Sequence, residues 1–243
     1  MKHEASKAIV LLSGGLDSST VLYGATSQGL DCYALSFDYG QRHRQEMDAA
    51  AAIAQTAAVK DHQVVTFNLG QWGGSALTDM RLDLPAGRSP SAMSADIPIT
   101  YVPARNTIFL SFALSYAEAI GAGYIYIGVN QLDYSGYPDC RPDFIAAIQE
   151  AFRLGTRQGR EGVPIEIVAP LLNLRKTDII QMGNALGVPW AKTWSCYSDG
   201  GGGGVTPPLV ACGVCDSCQL RLAAFAELGL EDPLPYASRE RWT

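Results

Sequence analysis

Residues Ser13 to Ser19 read Ser-Gly-Gly-Leu-Asp-Ser-Ser; they follow the apolar run Ala8 to Leu12 and open a stretch with helical spacing, Thr20 to Gln28. A strand that hands two adjacent glycines to a helix start brings backbone N–H groups, hydroxyls and the positive end of a helix dipole to one point. Phosphate is the ligand suited to that geometry. A Walker-type loop would place Gly-Lys-Ser/Thr at the helix entrance, whereas Leu16 and Asp17 stand there, so the loop brings no lysine of its own. The plain alternative is a Gly-Gly turn with Asp17 or Ser18 as helix N-cap.

The rest of the chain alternates in the same way. Short β-rich runs fall near Ala8 to Leu12, Cys32 to Phe37, Gln63 to Asn68, Tyr124 to Gly128 and Ile165 to Ala169. Helical patterns lie between and after them, near Ser18 to Gln28, Arg44 to Ala57, Ala104 to Ile120, Pro142 to Thr156 and Arg175 to Leu186. This alternation predicts an α/β fold, a parallel five-stranded sheet flanked by helices, with ligands beyond the carboxyl ends of the strands. We expect residues 1–190 to form the nucleotide-binding domain and residues 191–243 a small metal-binding module with a C-terminal helix. Gln71 to Pro98, rich in Gly, Pro and Ser, reads as a lid or a disordered insert.

A length of 243 residues and a hydrophobic content of 47% suffice for a sizeable core. Eighteen Lys and Arg against 24 Asp and Glu leave a net charge of -6, which favours a small-molecule substrate over nucleic acid. Met1 to Lys7 is polar, without the apolar core of a secretory signal. The most apolar stretch, Thr107 to Val129, is interrupted by Ser111, Ser115, Glu118 and Gly121 and reads as a buried helix and a strand, not a membrane span. A cytoplasmic protein is expected.

Arg105, Arg141, and Arg175 with Lys176 fall at or within a turn of expected helix starts, as do Arg42 and Arg44. Cations there oppose the macrodipole by roughly 0.3 to 1 kcal/mol each, so several at one edge of a sheet suggest a compensating anion; singly, each reads equally well as a solvated surface charge.

Four of six cysteines, Cys196, Cys212, Cys215 and Cys218, form a separate cluster. Cys-Gly-Val-Cys-Asp-Ser-Cys presents three thiolates at a spacing of three, and Cys196 supplies a fourth. In a reducing compartment the set reads as one tetrahedral structural Zn²⁺ ahead of an iron–sulfur cluster or redox thiols. Cys32 reads as core. Cys140 reads as structural, with a nucleophile as the alternative.

Gly128 to Arg141 reads Gly-Val-Asn-Gln-Leu-Asp-Tyr-Ser-Gly-Tyr-Pro-Asp-Cys-Arg. Asp133 and Asp139 can accept two N–H bonds from a guanine-like edge, and Tyr134 or Tyr137 offers a stacking face. A polar turn capping the next helix, with Pro142 in its first position, explains the same residues equally well.

The loop at Ser13 resembles that of the ATP pyrophosphatases, which hold the β- and γ-phosphates as a leaving pyrophosphate while a substrate oxygen attacks the α-phosphorus. Together with Tyr-Val-Pro-Ala-Arg-Asn at Tyr101 to Asn106, Asp133 to Arg141, Thr-Trp-Ser-Cys at Thr193 to Cys196 and the cysteine knuckle, the order of motifs resembles the 7-cyano-7-deazaguanine synthase family of queuosine precursor biosynthesis, over essentially the whole chain. The stretch Gly200 to Ala211 is longer than that resemblance leads one to expect.

What the resemblance implies is an adenine nucleotide alpha hydrolase-like fold and a double activation. ATP adenylates 7-carboxy-7-deazaguanine, ammonia displaces AMP to give the amide, and a second ATP activates the amide oxygen on the way to the nitrile. The ATP contacts map onto Val10, Leu11, Leu12, Ser13, Gly14, Gly15, Leu16, Asp17, Ser18, Ser19 and Thr20, joined by Lys176. Ser13, Gly14, Gly15, Ser18 and Ser19 would form the cradle, and Lys176, with Mg²⁺, would offset charge on the leaving pyrophosphate. Asp17 either meets that Mg²⁺ or turns inward to brace the loop, and Arg105 faces a phosphate or the substrate carboxylate. Ser13, Asp17, Arg105 and Lys176 are thus the implied catalytic set, Asp133, Tyr134, Tyr137, Asp139 and Arg141 the substrate contacts, and a homodimer the implied assembly. The rival readings are a tRNA-modifying ATP pyrophosphatase, of thiolase or lysidine synthase type, and a non-catalytic ATP-binding module. No histidine sits in a matching motif, and no general base is apparent.

Overall fold

The computed structural model describes residues 6–42, 45–86, 97–130, 136–198 and 210–239. Its strands are β1 (Lys7–Leu11), β2 (Asp31–Asp38), β3 (Asp61–Thr66), β4 (Tyr124–Tyr126) and β5 (Glu166–Val168). The main helices are α1 (Leu16–Ser27), α2 (Gln45–Thr56), α3 (Arg105–Ile120), α4 (Pro142–Gly155), α5 (Lys176–Leu186) and α6 (Asp216–Glu227). All strand pairings are parallel and the order is β3-β2-β1-β4-β5. The chain winds outward on one side of β1 and then returns to the other. The switch point therefore lies between β1 and β4, and a doubly wound sheet gathers its ligands at the carboxyl ends there.

β1 can be central because it is apolar on both faces, as buried parallel strands are. Ala8, Val10 and Leu12 pack with Leu16, Val21, Leu22, Ile179 and Ile180 on one face. Ile9 and Leu11 pack with Leu35, Leu110, Ala113 and Ile125 on the other. The period of two along the strand thus puts α1 and α5 on one side and α3 on the opposite side. Small residues let α1 and α5 come close: a Cβ on Gly24 would stand 3.3 Å from Met182 and 3.9 Å from Leu186.

β4 stops at Tyr126, earlier than the apolar run suggests, because Gly128 closes onto α1. A Cβ there would lie 3.2 Å from the Ser18 nitrogen. The part of the Gln71 to Pro98 region that is described is built against the body rather than free of it. Arg42 donates to the carbonyls of Asp79 and Leu82, the amide of Ala76 donates to Ile99 O at 2.8 Å, and Ala86 bridges to Cys215. Residues 87–96 of that region, and residues 199–209 of the long interval between cysteines, lie outside the described residues.

A buried ion pair ties the C-terminal segment to the rest. Arg221 Nε and Nη2 meet the two Asp232 oxygens at 2.6 and 2.9 Å, and both side chains are at most 2% exposed. Arg221 also donates to Thr193 Oγ1 at 2.7 Å and Trp190 O at 3.1 Å, while Tyr236 donates its hydroxyl to Asp232 at 2.7 Å. With its hydrogen-bonding capacity met in this way, a buried charge pair holds its neighbours in one register. Here it fixes the approach of Thr193–Cys196 to α6.

Candidate active site

A cleft of about 290 Å³ opens at the carboxyl ends of β1, β2 and β4. The Ser13 loop forms one wall, Tyr39 and Glu46 a second, Arg105 and Phe109 a third, and Lys176, Trp194 and Cys196 close the rim.

The loop is held in shape by its own hydroxyls. Ser13 N–H donates to Ser18 Oγ at 3.2 Å, the two serine hydroxyls meet at 3.0 Å, and Gly15 N–H donates to Ser13 Oγ at 3.3 Å. Gly15 stands at the N-cap of α1 and no side chain caps the helix, so Asp17 and Ser18 are not caps and the first-turn amides keep their donor capacity. Gly14 adopts φ 78° and faces α2, where a Cβ would lie 2.5 Å from Ala50 N and 2.7 Å from Glu46 O. Its lack of a side chain lets α2 seat on the loop. Gly14→Ala is expected to lower stability by more than ~1 kcal/mol, since left-handed backbone and contact with α2 both oppose it. A chemical denaturation midpoint equal to that of the parent would contradict this.

Leu11, Leu12, Ser13, Gly15, Leu16, Asp17, Ser18 and Lys176 of the expected nucleotide contacts reach the cleft. Val10, Gly14, Ser19 and Thr20 lie outside its lining. Val10 is sealed in the strand, and Thr20 donates its hydroxyl to Leu16 O at 2.9 Å. Ser19 is wholly buried, its hydroxyl without a partner among the described residues.

Asp17 and Lys176 meet across the switch point. Lys176 Nζ donates to both Asp17 oxygens, at 2.9 and 2.7 Å, and Asn130 Nδ2 donates to Asp17 Oδ2 at 3.2 Å. Thus the lysine that the loop lacks arrives from α5, and Asp17 holds it beside the first turn of α1. Of the other helix-start cations, Arg105 lines the cleft, with Nη1 3.5 Å from Tyr39 OH. Arg42 also lines it, but donates to loop carbonyls. Arg175 pairs with Asp178 at 3.1 Å, and Arg141 is exposed at the start of α4 and does not line the cleft. Arg44 lies outside the described residues.

The expected substrate contacts divide. Tyr137 lines the cleft, and its hydroxyl meets Thr100 Oγ1 at 2.8 Å. Asp139 does not: it is buried, and its Oδ2 accepts the Asn106 N–H at 2.9 Å in the first turn of α3. Asn106 returns a bond to Asp139 O at 2.9 Å and approaches Cys140 Sγ at 3.2 Å. Asp139 is therefore a brace for the segment that carries Arg105, which enters α3 through Ala104 in the left-handed region, φ 56°. Asp133 and Tyr134 lie outside the described residues.

Glu46, Tyr39 and the Phe37–Phe109 stack, with centroids 4.0 Å apart, belong to the cleft and went unseen in the sequence. Burial pushes the Glu46 carboxyl up to about 7 even though the Arg105 charge opposes that rise. Burial likewise raises the Tyr39 phenol.

The four cysteine sulfurs lie within 4.8 Å of one another, and Cys212 and Cys218 are 3.9 Å apart. A tetrahedron with metal–sulfur distances near 2.3 Å has edges of about 3.8 Å, so the set can hold a metal ion of that kind. Backbone N–H groups of Ser198 and Cys212 both point at Cys196 Sγ, at 3.3 Å. Hydrogen bonds from Cys215 and Cys218 hold the Cys196 thiol down to about 5, and the same arrangement pushes Cys218 far up. Gly213, at φ 78°, keeps the knuckle closed: a Cβ there would run into Ser238 O.

The fold and cleft are those of a doubly wound α/β protein with a glycine-rich loop and an uncapped helix start at its switch point and a four-cysteine cluster at the rim. The chain belongs to the family of the queuosine biosynthesis protein QueC, whose model matches residues 7–229. A protein from Cyanothece sp. is 72% identical over 230 residues, 95% of this chain and 99% of that protein. One from Anaeromyxobacter dehalogenans is 52% identical over 234 residues, 96% of this chain and 97% of that protein. Both are 7-cyano-7-deazaguanine synthases.

Proposed function

We propose that the chain converts 7-carboxy-7-deazaguanine and ammonia to 7-cyano-7-deazaguanine at the expense of ATP, through an adenylated acid and an adenylated amide, with AMP and pyrophosphate released. The observation that carries this reading is the Asp17–Lys176 pair beside the uncapped start of α1, in a chain of this family. An arriving polyphosphate competes with Asp17 for the Lys176 ammonium. The lysine then offsets charge building on the bridging oxygen, together with the first-turn amides of α1. Asp17, released from the lysine, would offer its oxygens to Mg²⁺, which would supply charge neutralisation for the leaving pyrophosphate.

Arg105 is placed to meet the substrate carboxylate, and Tyr137 to border the base. Asp133 and Tyr134 remain the proposed partners of its edge. The four cysteines take one structural Zn²⁺ per chain, and with four thiolates as ligands no position is left for a catalytic water. Residues 191–243 then form the module built around it, packed on a nucleotide-binding body of residues 1–190. A homodimer in the cytoplasm is the assembly and place we propose. Among the described residues no helix is long and apolar enough to cross a membrane.

Incubation with 7-carboxy-7-deazaguanine, ammonium, Mg²⁺ and ATP, with no RNA present, is expected to accumulate AMP and pyrophosphate. If neither appears without RNA but both appear with tRNA, the tRNA-modifying reading replaces this one.

A further inference from the structure

A reaction that joins ammonia to an acyl adenylate must dispose of a proton from the attacking nitrogen, and two carboxylates line the cleft among the described residues, Asp17 and Glu46. Asp17 is held by Lys176 and Asn130 and, in the reaction proposed above, would turn from the lysine to Mg²⁺. The remaining acid is Glu46. From its position we infer that Glu46 is the catalytic base of the amidation step, an assignment that rests on the reaction proposed above.

Three observations converge on it. First, Glu46 lies in the opening turn of α2, and Gly14 seats that turn against the phosphate loop, with Glu46 O only 2.7 Å from where a Gly14 Cβ would stand. The carboxylate is therefore carried by the element that touches the loop itself. Second, aromatic rings stand around it, Tyr39 on the same wall and Phe109, stacked on Phe37, on the next, and the cationic and titratable groups facing it are Arg105 from α3 and Tyr39 beyond β2. Arg105 lies near enough to be felt, but forms no ion pair with Glu46 within 4.0 Å, so the carboxylate keeps its lone pairs for another donor. Third, burial lifts the carboxyl to about 7, where a base is matched to work near neutral pH.

Among the described residues, three further titratable groups are committed elsewhere. Asp139 braces Asn106, His62 bonds Ser36 at 2.7 Å under the edge of the sheet, and burial raises the Tyr39 phenol away from neutrality.

In the step, the ammonia lone pair forms the C–N bond at the acyl carbon. The C–O bond to AMP breaks with its electron pair on the AMP oxygen. One proton passes from the nitrogen to a Glu46 oxygen, and from there to water. Arg105 beside Glu46 orients the acyl group so that the nitrogen enters between them.

Two assays on the full-length protein separate this role from binding. Pyrophosphate–ATP exchange with 7-carboxy-7-deazaguanine in the absence of ammonia reads adenylation alone, and ammonium-dependent AMP release reads amidation. Glu46→Gln is expected to leave exchange within about twofold while slowing AMP release about 100-fold at pH 7. Glu46→Asp is expected to recover part of that loss. Hydroxylamine, a more weakly basic nucleophile whose adduct sheds its proton more readily, should be affected much less than ammonia. Equal losses in exchange and in AMP release, or no loss in either, would overturn the assignment. Absence of exchange in the parent enzyme would instead overturn the reaction on which the assignment rests.

Discussion

Lys176→Met should slow release of AMP and pyrophosphate by about 10²–10³-fold, the typical effect of removing one preorganised donor from a developing anion. The fold should barely notice. Asp17 and Lys176 are each about one-quarter to one-fifth exposed, with side-chain values of 24% and 20%, and Asp17 keeps its bond from Asn130. Pairs open to solvent to this degree contribute roughly 0.2–1 kcal/mol. Lys176→Arg should rescue poorly, because a planar fork is not a compact ammonium on a flexible stem. Turnover measured beside a thermal melt checks this. A large drop in melting temperature accompanying the loss of activity would make Lys176 a structural residue instead.

The largest effect on stability is expected from the cysteine cluster. Structural zinc contributes roughly 10 to 16 kcal/mol in small zinc-binding peptides, more than most domains have in total. Chelation, or Cys215→Ser, should therefore loosen the packing of Trp194, Cys196, Ala211 and Leu234 around Ala49 of α2. Because Trp194 and Cys196 also line the cleft, activity should fall with the metal. Metal analysis of protein never exposed to chelator should find about one zinc per chain, and limited proteolysis should cut the C-terminal segment only after chelation. Finding no zinc in such protein would contradict the assignment.

Much of the architecture could be read in the chain because parallel strands buried on both faces are written as short continuous apolar runs, and Ala8–Leu12 and Cys32–Phe37 each became a strand. Strand ends were less legible. β4 is cut short by the approach of Gly128 to Ser18, a contact between residues 110 positions apart in the chain. The Ser13 loop was legible because its function is local, made by consecutive amides and hydroxyls. The bond that Asp139 makes was hidden for the opposite reason: a carboxylate beside a helix start looks free in sequence, and its partner Asn106 is 33 residues away. Glu46 gave no signal at all. An acidic residue in the first turn of a helix is the ordinary complement of the macrodipole. What sets this one apart is its place beside Tyr39 and facing Arg105 in the cleft, and that arises only when the sheet is assembled.

The central claim is that one loop, with Lys176, serves two adenylations in each catalytic cycle. Counting products tests it most directly. With 7-carboxy-7-deazaguanine, ammonium, Mg²⁺ and ATP, two AMP and two pyrophosphate should form for every 7-cyano-7-deazaguanine, with the amide appearing as an intermediate that the enzyme itself consumes. Release of ADP and phosphate, or a ratio of one AMP with the amide as the final product, would contradict it.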